Sequence, residues 1–137
     1  MPAYESPQRG PLGNTVADDT KIVFAKKAGA QTVATLAATE NFYNDNDYAL
    51  TISAVRATVG TAPTGATFIA DVLVSGTSIY TGVTANRPTI AISGTTALGG
   101  TPATLTIPAG ALVTFAVIQV GSTVAGSDLV IQLTLAS

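Results

Sequence analysis

The chain contains no cysteine, no histidine and no tryptophan. Without cysteine there is no disulfide framework and no thiolate metal site. Without histidine the commonest general base, the usual zinc ligand and every imidazole-dependent triad are missing. Charge is scarce as well: 10% of the 137 residues are charged, against roughly 25% in an average soluble protein. Between Arg87 and Asp128 forty residues pass without a charged side chain. The net charge of −2 supplies no field for nucleic acid or an anionic membrane, so neither is expected as a direct partner. Long apolar runs are absent too, because Gly94, Gly99, Gly100, Pro102, Pro108 and Gly110 break the uncharged stretch. It falls short of the ~18–20 continuous apolar residues of a spanning helix. The opening MPAYESPQRG has no basic segment leading into an apolar core, which argues against a secretion signal and for assembly in the cytoplasm.

What is present is apolar and hydroxyl-bearing: 47% of residues are hydrophobic and 22 are threonine. A free monomer usually stays soluble on a mixed charged surface, so this composition implies a hydroxyl-rich exterior, or one hidden against partners, or both. The length allows one domain with one core. Residues 1–20 carry Pro2, Pro7, Pro11, Gly10 and Gly13 without apolar periodicity, the composition of an extended arm. Ordering such an arm costs about 1–2 kcal/mol per residue in backbone entropy, so contacts with another chain are expected to hold it. Residues 21–137 then form the domain.

From Ile107 to Ala136 two long apolar runs flank a loop of Gly, Ser, Thr and Ala, and the pattern predicts a β-hairpin. In the second arm Leu129, Ile131, Leu133 and Leu135 alternate with Val130, Gln132 and Thr134, which puts the four large side chains on one face. In the first arm Val113, Phe115 and Val117 form one face, while Leu112, Thr114, Ala116, Ile118 and Val120 form another that is almost as apolar. No amphipathic helix is available to cover the second face, so a neighbouring subunit is expected to.

Upstream, KIVFAK predicts a short strand at Ile22 and Phe24, and Gln31 to Ala38 a weaker one, with Lys26 and Lys27 in a loop between them. Asn44-Asp45-Asn46-Asp47 offers oxygen ligands at the wrong spacing for a calcium loop and reads as a turn, so no metal site is assigned. Tyr48, Leu50 and Ile52 point inward, after which Val55, Ala57 and Val59 continue one residue out of phase, predicting a β-bulge near Ala54. Gly60 to Gly65 lacks the ending of a phosphate-binding loop. Thr67 to Val74 alternates Phe68, Ala70, Val72 and Val74 with Ile69, Asp71 and Leu73, and Ser75-Gly76 turns it into a second hairpin with Thr77 to Thr81. Nine or ten short strands with no helix give an all-β antiparallel sandwich, jelly-roll-like, behind an extended N-terminal arm.

Three stretches, VRATVGTAPTGATFIADV (55–72), ANRPTIA (85–91) and QVGSTVAGSDLVIQL (119–133), resemble a β-sandwich domain of tailed-bacteriophage virion proteins, especially those of actinobacteriophages. The domain recurs in head decoration, minor tail and tail fibre proteins, and the resemblance spans about Asn41 to Ala136. It implies a virion protein with no cofactor and no catalytic residue. Relatives tend to carry acidic residues before the Gln-Val-Gly-Ser turn, where this chain has Ala116 and Ile118. That substitution points to a subunit contact through Leu112, Thr114, Ala116, Ile118, Ile69 and Leu73, with a homotrimer expected.

A capsid decoration protein on the outside of the shell is the leading expectation. The major capsid protein is then its partner, met by Tyr4, Arg9, Leu12 and Val16 of the arm. The alternative is a tail or fibre protein binding a host surface glycan through Tyr80, Asn86 and Arg87, or docking on other tail proteins. An enzyme is not expected, since nothing brings Asp71 and Asp128 together as a carboxylate pair.

Overall fold

Strict alternation in the last strand sets the architecture. Leu129, Ile131, Leu133 and Leu135 are all buried to within 1% while Val130, Gln132 and Thr134 are half-exposed, so one side of this strand belongs to a core and the other to the surface. The computed structural model describes residues 20–137, and everything below concerns those residues.

Eleven strands occur among them: β1 (Thr20–Ala30), β2 (Ala34–Thr35), β3 (Phe42–Tyr43), β4 (Leu50–Thr58), β5 (Phe68–Val74), β6 (Thr77–Ser78), β7 (Thr89–Ile90), β8 (Thr96–Leu98), β9 (Thr106–Ile107), β10 (Leu112–Val120) and β11 (Ser127–Ala136). Helix is limited to two single 3₁₀ turns, Ala38–Glu40 and Thr84–Asn86. No helix is long and apolar enough to cross a membrane.

The strands form two antiparallel sheets. Sheet one runs β1, β11, β4, β8, with β9 pairing the start of β4. Sheet two runs β2, β10, β5, β6, with β3 pairing β10 and β7 pairing β5. The first and last strands are neighbours, the outermost position beside β4 is shared by β8 and β9, and that beside β5 by β6 and β7. This is the strand order of a jelly roll, an all-β sandwich as the alternation predicts. Between the sheets lies one core that includes Ile52, Val55, Phe68, Val72, Ile79, Tyr80, Ile90, Ile107, Val113, Phe115 and the four inward residues of β11. Each large aliphatic side chain there contributes about 1.5–3 kcal/mol by leaving water.

Several expectations change. β10 and β11 are not the two arms of a hairpin: β10 pairs with β5, β2 and β3, whereas β11 lies between β1 and β4 in the other sheet. The Gly121–Gly126 loop is a crossover. Alternation fixes which face of a strand is apolar and is silent about its neighbour, and two strands on opposite sheets with facing cores give the same pattern as a hairpin. Lys26 and Lys27 lie within the eleven-residue β1 rather than in a loop, and Tyr48 is exposed, with the inward series starting at Leu50.

Two bulges correct the phase of the long strands. Leu135 faces Ile52 and Thr134 faces Ala54, leaving Ser53 unpaired beside the residue at which the slip was expected. In β10 the register jumps between Val117 and Gln119, so Ile118 is the extra residue and Val120 turns inward against the core. The Ser75-Gly76 turn closes the predicted hairpin, with φ of 52° and 84° at its two residues, though β6 stops at Ser78.

Candidate interaction surfaces

The residues expected at a subunit contact share the outer face of sheet two. Thr114 lies opposite Leu73, Ala116 opposite Asp71 and Gln119 opposite Ile69, so residues from β10 and β5 that are distant in sequence do share one face. Their exposure is uneven. Ile118, raised on its bulge, is 37% exposed; Leu112, Thr114, Ile69 and Leu73 are half-buried, and Ala116 is already buried within the chain beside Thr35 of β2.

Asp71 sits in the middle of this face and is 2% exposed. It is held there by partners. One carboxylate oxygen accepts hydrogen bonds from the Val72 N–H and the Ser78 hydroxyl, both at 2.8 Å, and the other meets Arg87 Nη2 at 3.2 Å. A buried carboxylate would be costly if any of these were missing. Asp128 is elsewhere, at the start of β11, where its Oδ1 accepts the Gly29 N–H at 2.8 Å. The two carboxylates are therefore separate structural groups.

The proposed sugar site does not assemble. Tyr80 is completely buried and offers no ring face to a ligand. Its hydroxyl has no hydrogen-bond partner among the described residues, and burial, with the Asp71 carboxylate second, pushes its pKa up to about 12. Asn86 closes its own loop by donating to the Thr101 carbonyl at 2.9 Å, and Arg87 is engaged by Asp71. Asn44 is also committed internally: its Nδ2 donates to the Tyr48, Ile107 and Pro108 carbonyls at 3.0–3.2 Å while its Oδ1 accepts from Asn46. That is an Asx turn plugging the base of the sandwich. Tyr4, Arg9, Leu12 and Val16 lie outside the described residues.

Two further surfaces escaped sequence reading. On the outer face of sheet one, Ile22 and Phe24 of β1 are 50% and 51% exposed and Leu98 of β8 is 57% exposed. Around them Gln132, Thr134, Arg56, Thr58 and Thr96 share the face, with Thr58 and Thr96 hydroxyls 3.1 Å apart and Arg56 donating to Thr96 at 3.0 Å.

The second surface is the end of the sandwich where the loops 31–33, 59–67, 91–95 and 121–126 meet. Backbone bonds tie them together: Gln31 N–H to Gly126 O, Thr64 N–H to Val124 O and Ser93 N–H to Pro63 O, all 2.9–3.0 Å. None of the four loops contains a charged residue, and Val33, Ile92 and Val124 project from them at 63%, 50% and 43% exposure. The opposite end carries Asp45 and Asp47. The missed signal was there: four separate Gly/Thr/Ser loops without one charge.

No protein-family model and no curated protein matches the chain. Among solved structures it is similar to a chain of the cyanophage Pam1 capsid asymmetric unit, at 18% identity and a TM-score of 0.48, covering 99% of both chains. It is also similar to the infectious bursal disease virus VP2 subviral particle, at 11% identity and a TM-score of 0.36, covering 99% of this chain and 37% of that one.

Proposed function

We propose that the chain is a structural protein of a tailed-bacteriophage virion, a capsid decoration protein that binds the outside of the assembled shell as a homotrimer. The observation that carries this reading is the outer face of sheet two. Leu112, Ile69, Leu73, Thr114 and the bulged Ile118 share it, and its one buried acid is neutralised within the chain by Arg87. A face with its charge already paired can be covered by a sibling subunit without leaving an ion unpartnered. The resemblance of three sequence stretches to phage virion domains supports the same reading, as does the jelly roll, an architecture shared by capsid proteins, lectins and cupins. Its role is mechanical rather than catalytic: a molecule that binds only the assembled lattice stabilises that lattice by mass action.

In this reading residues 1–19 reach the major capsid protein and the sandwich holds the trimer together. Removing residues 1–19 should abolish binding to purified shells while leaving a folded trimer, as read by co-sedimentation and analytical ultracentrifugation. Ile118→Lys should do the reverse, giving folded monomers. Binding of the truncated protein at undiminished affinity, or location of the protein on the tail by labelling of intact particles, would overturn the assignment.

A further inference from the structure

One row of residues crosses the whole outer face of sheet one. Phe24 of β1 lies opposite Gln132 of β11, Gln132 opposite Arg56 of β4, and Arg56 opposite Leu98 of β8. Residues directly opposite one another share a face, and strands about 4.8 Å apart put Phe24 and Leu98 about 14 Å from each other. The neighbouring row holds Val130, Thr58 and Thr96. Phe24 and Leu98 are 51% and 57% exposed, while Gln132 and Arg56 between them are half-buried. Where the partner of β4 changes from β8 to β9, the face dips into a recess of about 120 Å³ whose lining includes Ser53, Leu98, Gly99, Thr101 and Leu105.

The polarity of this row is the reverse of a protein–protein contact. Such contacts set an apolar centre inside a polar rim and deplete charge at the centre. Here a guanidinium and an amide stand in the middle, and the apolar side chains flank them. Arg56 is also uncompensated: its Nη1 donates to the Thr96 hydroxyl at 3.0 Å, and among the described residues it pairs with no carboxylate. The Gln132 side-chain amide likewise bonds to nothing among the described residues. An apolar protein surface laid on this face would strip water from a cation whose charge nothing answers. A fitting occupant brings the anion with it.

We infer that this face binds an acidic polysaccharide, a polymer of sugars that carry carboxylates. The carboxylate takes the paired hydrogen bonds that the remaining guanidinium donors of Arg56 offer. Sugar hydroxyls meet the Gln132 amide and the Thr58 and Thr96 hydroxyls, each able to donate and to accept. The apolar side of a ring lies on Phe24, whose aromatic ring supplies contact area at low entropic cost. The recess beside Leu98 gives an otherwise flat sheet the concave end that small-ligand sites require. The site is confined to β1, β11, β4 and β8. It uses none of Tyr80, Asn86 and Arg87, and it depends neither on the contact through sheet two nor on residues 1–19.

Polygalacturonate, with a carboxylate on every sugar, is the probe; dextran is the uncharged polysaccharide and poly-L-glutamate the polyanion without rings. In calorimetric titrations of the full chain at about 0.15 M salt, where long-range attraction is screened, polygalacturonate should bind about tenfold tighter or more than either control. Arg56→Gln should weaken that binding by about tenfold or more through loss of the charge-assisted pair, and Phe24→Ala by about threefold or more through lost apolar contact. Tyr43→Ala removes an aromatic side chain that is 60% exposed on the other sheet and should leave the affinity unchanged. All three variants should keep the circular dichroism spectrum of the parent. No binding of polygalacturonate by the folded parent, equal binding of poly-L-glutamate, or unchanged affinity of folded Arg56→Gln would each overturn the proposal. So would a smaller sedimenting species from Phe24→Ala, which would make the face a contact between copies. The capsid assignment is read separately, by the shell binding of the chain lacking residues 1–19 and by Ile118→Lys.

Discussion

Tyr80 concentrates several effects in one side chain. It is the largest fully buried residue, its hydroxyl has no partner among the described residues, and Gly99 passes over it so closely that an added methyl would meet the hydroxyl at 2.7 Å. A pKa near 12 in the folded chain against 10.0 for the free side chain has a defined consequence. Above pH 10 the unfolded chain gives up this proton first, so unfolding releases a proton and rising pH favours it. Stability is unaffected below that range and falls by on the order of 2–3 kcal/mol between pH 10 and 12 from this group alone. Tyr80→Phe should remove that component and cost less than about 1 kcal/mol at pH 8, because no hydrogen bond is lost. Urea titrations of both proteins at pH 8 and pH 11 measure the difference, and parallel losses in the two would refute the role of Tyr80. Asp71 illustrates what sequence could not convey: it reads as a stray polar residue on an apolar face, and its partner Arg87 becomes visible only when β7 brings it beside β5.

At the level of elements, the loops that close the end bearing Val33, Ile92 and Val124 depend on two glycines in the left-handed region. Gly65 has φ of 81° and Gly121 φ of 106°, and a side-chain carbon at Gly65 would collide with Ser122 and Thr123. Gly110, with φ of 77°, has nothing within 4 Å of the same position. Gly110→Ala should therefore cost only backbone strain, about 1 kcal/mol, and Gly65→Ala clearly more, about 2–4 kcal/mol, because the loop junction must also open. Thermal denaturation of the pair tests this, and equal losses would mean that the junction does not contribute.

The inward faces of β4, β5, β10 and β11 and the slip beside Ala54 were legible because each rests on period-two alternation within one strand. The pairing of β10 was not, since the crossover at Gly121–Gly126 has the composition of a hairpin loop. The short strands β2 and β3 gave weak or no signals because two residues cannot display a period. Candidate surfaces fared in the same way: the outer face of sheet two was readable from β10 and β5 alone, whereas the grouping of Ile22 and Phe24 with Leu98, and of Val33, Ile92 and Val124 at one end, requires knowing which strands are neighbours.

For the molecule as a whole, the scarcity of charge is compensated by hydroxyls and by internal pairing. Thr58 and Thr96 bond to each other across β4 and β8, Glu40 is bonded to the edge of β1 and Asp71 to Arg87. Large apolar side chains are also exposed: Ile22 and Phe24 on β1, Ile118 at its bulge and Val33, Ile92 and Val124 at the loop tips.

The position of β11 has a consequence for the order of events during synthesis. It is the final strand of the sandwich to leave the ribosome, yet it is the one that β1 and β4 both require as a neighbour. Until it emerges, those two strands have nothing to join them and sheet one has no middle. Completion of the fold is thus postponed until the sandwich is fully translated, and the long sequence separation between β1 and β11 makes that last step slow. Chains ending at Gly126 should remain protease-sensitive throughout their length in a pulse-proteolysis experiment; a protected fragment would show that sheet two can close alone.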